Sequence, residues 1–211
     1  MAQKLARFHS LQVPLSKKNY LHKNLVDLHD RAYKKFSIDQ LIAELKLETL
    51  ANNDLISEFE FIKKLMVKAD SPVVFVHDDF RNSNLLVKDE GGIEGDMIVV
   101  CDFEYANYTY RALDFGMLFS QWGEKKFERK PLAADEVMRP FFEEYIDEMI
   151  RIHGREKYLS DKRNTVERML LEAKVFHLIG IMFGCVFCLQ LDEEKQIEMF
   201  SRSSMMVSVR C

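Results

Sequence analysis

The spacing of apolar positions divides the chain into a helical first third, a short extended centre and a helical remainder. Leu5, Phe8 and Leu11 fall three apart, which predicts a helix over residues 2–11. Val13-Pro14 closes it, because a residue before proline disfavours helical backbone. Leu21, Leu25 and Leu28 place a stripe along the charged stretch 17–36. Leu41, Leu45 and Leu47 do the same over 39–51, with Ser37 or Asp39 as cap. Asp54 can cap a further helix that runs to about Ala69 and ends before Ser71-Pro72. The pattern then changes. Val73–Val76 is a β-branched and aromatic run that reads as a strand, Leu85–Val87 reads as a second short strand and Met97–Cys101 as a third, with Gly91-Gly92 in the polar turn between the last two. Helical spacing returns over 112–123, over 135–153 with Gly154 as C-cap, and over 164–190. The charged faces of the early helices read as solvated surface. The expected fold class is α+β, mainly helical, with a small β-hairpin or sheet carrying the polar loops.

Composition narrows the class without changing that outline. The 211 residues, 47% hydrophobic and 30% charged, are enough for one well-cored domain and exclude a disordered or fibrous chain. A net charge of −4 argues against nucleic acid, which needs a clustered basic face. Val175–Leu189 is nearly all apolar, yet a membrane span needs about 20 such residues. Glu172, Lys174 and Asp192 flank the run closely. It reads as a buried core helix and not a membrane span, with His177 as a hydrogen-bonded core residue. Cys185-x-x-Cys188 reads as one turn of that helix rather than a metal or redox pair, because no second Cys or His cluster stands near it. Four scattered cysteines, and no apolar run after Met1, place the chain in a reducing, cytoplasmic compartment.

The candidate chemistry lies in His77-Asp78-Asp79-Phe80-Arg81-Asn82-Ser83-Asn84, followed by Cys101-Asp102-Phe103-Glu104. A hydroxyl that accepts a phosphoryl group must lose its proton, so a carboxylate has to face it, and Asp79 fits that role. Magnesium prefers hard oxygen ligands, which Asn84 and Asp102 supply from the ends of adjoining strands. The order His77-x-Asp79-x-x-x-x-Asn84, then Asp102-Phe103, follows that of the kinase catalytic and metal loops.

The stretch Asp102-Phe103-Glu104-Tyr105-Ala106-Asn107-Tyr108-Thr109-Tyr110-Arg111-Ala112-Leu113-Asp114-Phe115-Gly116 resembles the signature of the choline/ethanolamine kinase family. Leu5-Ala6-Arg7-Phe8-His9-Ser10-Leu11 with Val13-Pro14, and Met169-Leu170-Leu171-Glu172, extend the likeness from the first turn to about Gln190. The resemblance implies the C-terminal lobe of a protein-kinase-like fold over residues 1–191, with a divergent tail over 192–211. It implies an ATP- and Mg2+-dependent transfer to the hydroxyl of choline or ethanolamine, the first step of the Kennedy pathway of phospholipid synthesis. Glu104 would then be a metal-linked carboxylate, and Asp114 and Arg111 would support the loops. Tyr105, Gln121, Trp122 and Phe187 would line the acceptor pocket.

This sequence departs from the family pattern in several places. Asp78 replaces an Asn of the catalytic loop. Gln121 stands where the family has an acidic residue, and Gly184 and Phe187 stand where it has tryptophans. Choline and ethanolamine both remain open. All eight glycines lie at or after Gly91, so no glycine-rich loop or strand lysine precedes the catalytic stretch. The expectation is therefore that the N-terminal lobe is absent. A non-catalytic regulatory or dimerising subunit is the alternative, and homo- and hetero-dimers both stay open.

Overall fold

A computed structural model of the chain describes residues 1–44, 46–87, 98–123 and 131–189, with side chains in the last segment described through Met182. Among these residues the helices are α1 (Ala2–His9), α2 (Leu21–Lys35), α3 (Ile38–Glu44), α4 (Glu48–Asn52), α5 (Leu55–Ala69), α6 (Ala112–Ser120), α7 (Asp135–His153), α8 (Arg155–Leu159) and α9 (Val166–Leu189). The strands are β1 (Val73–Val76), β2 (Leu85–Val87), β3 (Ile98–Val100) and β4 (Asn107–Tyr110). The molecule is mostly helical with two small antiparallel sheets, as the periodicity predicts. One sheet pairs β1 with β4, from Val73 opposite Tyr110 to Val76 opposite Asn107. The other pairs β2 with β3, from Leu85 opposite Val100 to Val87 opposite Ile98.

Local chemistry explains most boundaries. The Asp54 carboxylate accepts from the backbone N–H of Ile56 and Ser57, capping α5. Gly154 follows α7 at φ 84, a conformation open to glycine at little cost. The single helix expected over 39–51 is instead two, because Lys46 sits in the left-handed region at φ 53 and turns the chain between α3 and α4. Strand β4 and the short α8 have no counterpart in the apolar spacing.

The main core lies between α1, α6, α7 and α9. Leu5 and Ala6 pack with Phe115, Leu118, Phe119, Phe142, Tyr145 and Met169, all essentially without solvent contact. Leu113 and Met117 on α6 meet Phe176 and Ile179 on α9 in a second cluster. Gly116 sets that crossing: a Cβ there would lie 2.4 Å from the backbone carbonyl carbon of Phe176. Arg111, just before α6, locks the same two helices. Its Nε and Nη2 donate to the two Glu172 oxygens at 2.9 Å, and Nη1 donates to Asn164 Oδ1 at 2.6 Å. Ser71 Oγ also donates to Glu172, at 3.0 Å. A buried ion pair this fully hydrogen-bonded leaves little uncompensated charge. No helix among the described residues is long and apolar enough to cross a membrane, in agreement with the reading of α9 as a core helix.

Candidate active site

Strand β1 ends at Val76 and delivers His77, Asp78 and Asp79 to the open end of the small sheet. The loop after it is held by one side chain. Asp114, fully buried in the first turn of α6, accepts from the His77 N–H at 2.9 Å and from the Asp78 N–H at 2.9 Å. Its Oδ2 also meets His9 Nε2 at 3.0 Å, and His9 Nδ1 meets the Tyr145 hydroxyl at 2.8 Å. Burial holds the His9 pKa below its ordinary value, so the ring is neutral. A neutral ring beside a carboxylate that can only accept must donate from Nε2, and Nδ1 then accepts from Tyr145. The His77 ring is bonded to the Cys101 carbonyl at 2.8 Å, which ties the loop to the end of β3.

Asp79 is partly buried and its carboxyl pKa is raised, chiefly by burial, against the lowering effect of Arg81, Asn84 and His77. Asn84 Nδ2 donates to the Asp79 carbonyl at 2.9 Å and to Oδ2 at 2.8 Å. Arg81 Nε donates to Oδ2 at 3.0 Å. The neighbouring Asp78 sits at φ 64, with Asn107 Nδ2 donating to its Oδ2 at 2.6 Å. Burial first, then the nearby Asp114, pushes the Asp78 carboxyl up to about 8.

The second candidate segment is reached through the backbone. The Cys101 N–H donates to the Asn84 carbonyl at 3.0 Å, so Asp102 follows directly beside the Asn84 turn. Asp102 is exposed and left-handed at φ 68, with no side-chain hydrogen bond to a described residue. The Phe103 ring stacks on Phe8 at 5.7 Å and lies 5.2 Å from His77. Glu104 is exposed, and Tyr105 is 45% exposed. The structure thus brings Asp79 and Asn84 into direct contact and sets the Asp102 backbone beside the same turn. Among the described residues no three His, Cys, Asp or Glu side chains converge as a metal centre. The available donors suit a hard cation all the same. With Asn84 Nδ2 turned to Asp79, its Oδ1 keeps only Ser83 Oγ, at 3.2 Å, and the Asp102 carboxylate faces outward.

The remaining predicted residues are spread around this centre. The Gln121 carbonyl accepts from Asn82 Nδ2 at 3.3 Å, beside the catalytic loop. Trp122 is 36% exposed with its ring 5.4 Å from Phe119. Arg111 is turned to Glu172 and α9. Phe187, Gly184, the Cys185 and Cys188 thiols, and the tail from residue 190 lie outside the described residues or side chains, as do the turn 88–97 and the loop 124–130. A cavity of about 590 Å³ among α2–α5, lined by His29, Tyr33 and Asp54, includes none of the site residues. Sequence reasoning missed His9, Tyr145 and Asn107, whose polar side chains interrupt apolar or strand patterns. That interruption is the one local signal they give.

Comparison with known proteins identifies the family. The model of the choline/ethanolamine kinase family matches residues 1–205. Choline kinase alpha of Mus musculus is 28% identical over 194 residues, covering 84% of this chain and 41% of the relative. Choline/ethanolamine kinase of Homo sapiens is 30% identical over 122 residues, covering 58% and 30%. The chain therefore spans less than half the length of these curated relatives. Among solved structures, the ethanolamine kinase of Plasmodium vivax superposes with a TM-score of 0.69 at 17% identity, covering 97% of this chain and 57% of that one. A choline kinase of Cryptosporidium parvum gives 0.66 at 18%, covering 95% and 62%. With the family match spanning nearly its whole length, this chain belongs to the choline/ethanolamine kinase family.

Proposed function

We propose that the chain carries the base and the metal-holding residues of a kinase that moves the γ-phosphoryl group of ATP to the hydroxyl of choline or ethanolamine. The reading is supported above all by Asp79, a carboxylate fixed by Asn84 on a loop that Asp114 anchors by two backbone N–H groups. In the step, the acceptor oxygen bonds to the γ-phosphorus, the bond from that phosphorus to the bridging oxygen breaks, and ADP departs. The hydroxyl proton passes to Asp79, whose raised pKa makes it a better proton acceptor than an ordinary carboxylate. Asn84 Oδ1 and the Asp102 carboxylate would hold Mg2+, with Glu104 next to them. The ion, when bound, neutralises charge on the phosphates. The Tyr105 ring offers an exposed face for the ammonium group, and Trp122 a second. The product would be a phosphoamino alcohol for phospholipid synthesis, made in the cytoplasm.

Transfer of radiolabelled phosphate from ATP to each amino alcohol, by the 211-residue chain and by its Asp79→Asn variant, tests this. The wild type transfers label, and the nearly isosteric variant loses at least about 100-fold in rate while melting as before. A folded variant that keeps its rate removes Asp79 from the reaction. The second reading, a non-catalytic partner of a complete family member, draws on Gln121, which leaves the acceptor side one carboxylate short. Wild-type chain that transfers no label favours it.

A further inference from the structure

Between Val73 and Tyr110, Arg81 is the only lysine or arginine among the described residues, and the same stretch of chain carries Asp78, Asp79, Asp102 and Glu104. Its Nε lies 3.0 Å from both Asp79 oxygens, its side chain is 42% exposed, and neither terminal guanidinium nitrogen has a hydrogen bond to a described residue. The loop does not depend on it. Asp114 binds the His77 and Asp78 N–H groups, and Asn84 binds the Asp79 carbonyl. Arg81 contributes only its contact with the carboxylate of the proposed base.

We propose that Arg81 binds the terminal phosphate of the nucleotide, its free guanidinium edge taking the phosphoryl oxygens while Nε stays at, or leaves, Asp79. The proposal rests on the kinase reading of the site. A nucleotide triphosphate is a polyanion, and the carboxylates of Asp79, Asp102 and Glu104 repel it. A planar guanidinium presents paired N–H donors that match phosphate oxygens, and it holds its charge throughout the reaction. The transferred group must approach the hydroxyl whose proton Asp79 takes. A cation within hydrogen-bond reach of Asp79 is therefore placed at the reacting phosphorus, where charge stabilisation has most effect. Arg81 gains and loses no proton. It balances charge on the oxygens of a group that leaves one oxygen for another.

Calorimetric binding of ATP and of ADP, each with Mg2+, to wild type, Arg81→Gln and Arg81→Lys gives the test, alongside phosphate transfer by the same proteins. Position 81 has extended backbone at φ −140 before the turn Asn82–Asn84, so glutamine is accommodated, and melting curves verify folding. The wild type is expected to prefer ATP over ADP by about tenfold, and Arg81→Gln to bind the two equally. Turnover falls about 100-fold with KM for the amino alcohol unchanged, and Arg81→Lys recovers part of both. A folded Arg81→Gln that keeps the ATP preference overturns the proposal, as does a wild type with no such preference. An Arg81-dependent ATP preference without any transfer upholds the phosphate contact and sinks the catalytic reading alone. A chain that binds neither nucleotide sinks both.

Discussion

Residues 77–84 and residues 102–105 meet at the same end of the strands, yet only the first segment is tied into buried structure. The loop after β1 is anchored by Asp114, and Asp114 is itself held by His9 of α1, which Tyr145 of α7 fixes in turn. Three helices therefore determine where Asp79 stands. The stretch Asp102–Tyr105 is exposed and is joined to the site by the Cys101 backbone and the stacking of Phe103 on Phe8. The side that carries the proposed base is preorganised by the protein, as a proton acceptor must be. The side that carries the proposed Mg2+ and acceptor contacts is exposed, as a segment with that role must be.

The largest effect should come from exchanging one carboxylate for an amide on each side. Asp114→Asn turns an NH2 group toward N–H donors that the carboxylate now accepts, and it should cost about 3–5 kcal/mol of stability. Asp102→Asn, exposed and without a side-chain hydrogen bond to a described residue, should change stability by less than about 0.5 kcal/mol. Urea unfolding of the two variants side by side measures the contrast. Equal midpoints would remove the distinction between the two segments.

Asp78 sharpens the comparison because it is a strained feature inside the well-supported segment. Its carboxyl, raised to about 8, faces Asp114 and Asp79, with Asn107 as its donor partner among the described residues. In the unfolded chain it ionises near 3.8. The folded state thus holds an extra proton between these values. The associated stability is fully present below about pH 4 and is lost as pH rises toward 8. Asp78→Asn, which restores the amide of the family pattern, should leave stability unchanged at pH 4. By pH 8.5 it should gain about 1–3 kcal/mol, less than the full shift implies because the residue is partly solvated. Denaturation midpoints of both proteins at pH 4, 6 and 8.5 decide it, and a gain independent of pH would show that the carboxyl is not what burdens the loop.

Much of this was legible in the sequence, because the informative signals are local. Strands β1 and β2 follow from short apolar runs, the start of α5 from a capping aspartate, and the contact of Asp79 with Asn84 from their spacing along the chain. Strand β4 was not legible. Asn-Tyr-Thr-Tyr follows a metal-loop pattern and lacks the Val/Ile character of a buried strand, and its pairing with β1 is a contact across more than thirty positions. The break at Lys46 was hidden by leucines that keep helical spacing through it. His9 and Tyr145 were out of reach for a deeper reason. His9 meets Asp114 across 105 positions and Tyr145 across 136, and apolar periodicity states which face of α1 or α7 is buried without stating which polar side chain it meets. The side chains of Gly184 and Phe187 lie outside the described residues, so the late-helix contribution to the acceptor pocket stays an expectation from family resemblance.

The smallest predicted loss within the anchored segment probes the outermost layer of the loop's support. Tyr145 is fully buried, and burial keeps its phenol pKa well above the ordinary value, so the hydroxyl is a permanent donor to His9 Nδ1. Tyr145→Phe leaves the ring packing against Phe115 and His9 but strands that nitrogen without a partner. The cost should be about 1–2 kcal/mol, the usual penalty for a buried acceptor left unsatisfied. The imidazole would then be free to reverse its tautomer, presenting Nε2 as an acceptor to a carboxylate that can only accept. The loss should therefore be shared with Asp114 and not add to it. In the Asp114→Asn background, where the amide can satisfy either tautomer, removing the hydroxyl should cost less than in the wild type. A double-mutant cycle by urea unfolding reads that coupling directly. Strict additivity would mean that Tyr145 supports α7 packing alone, and that the loop is fixed by α6 without help from the other two helices.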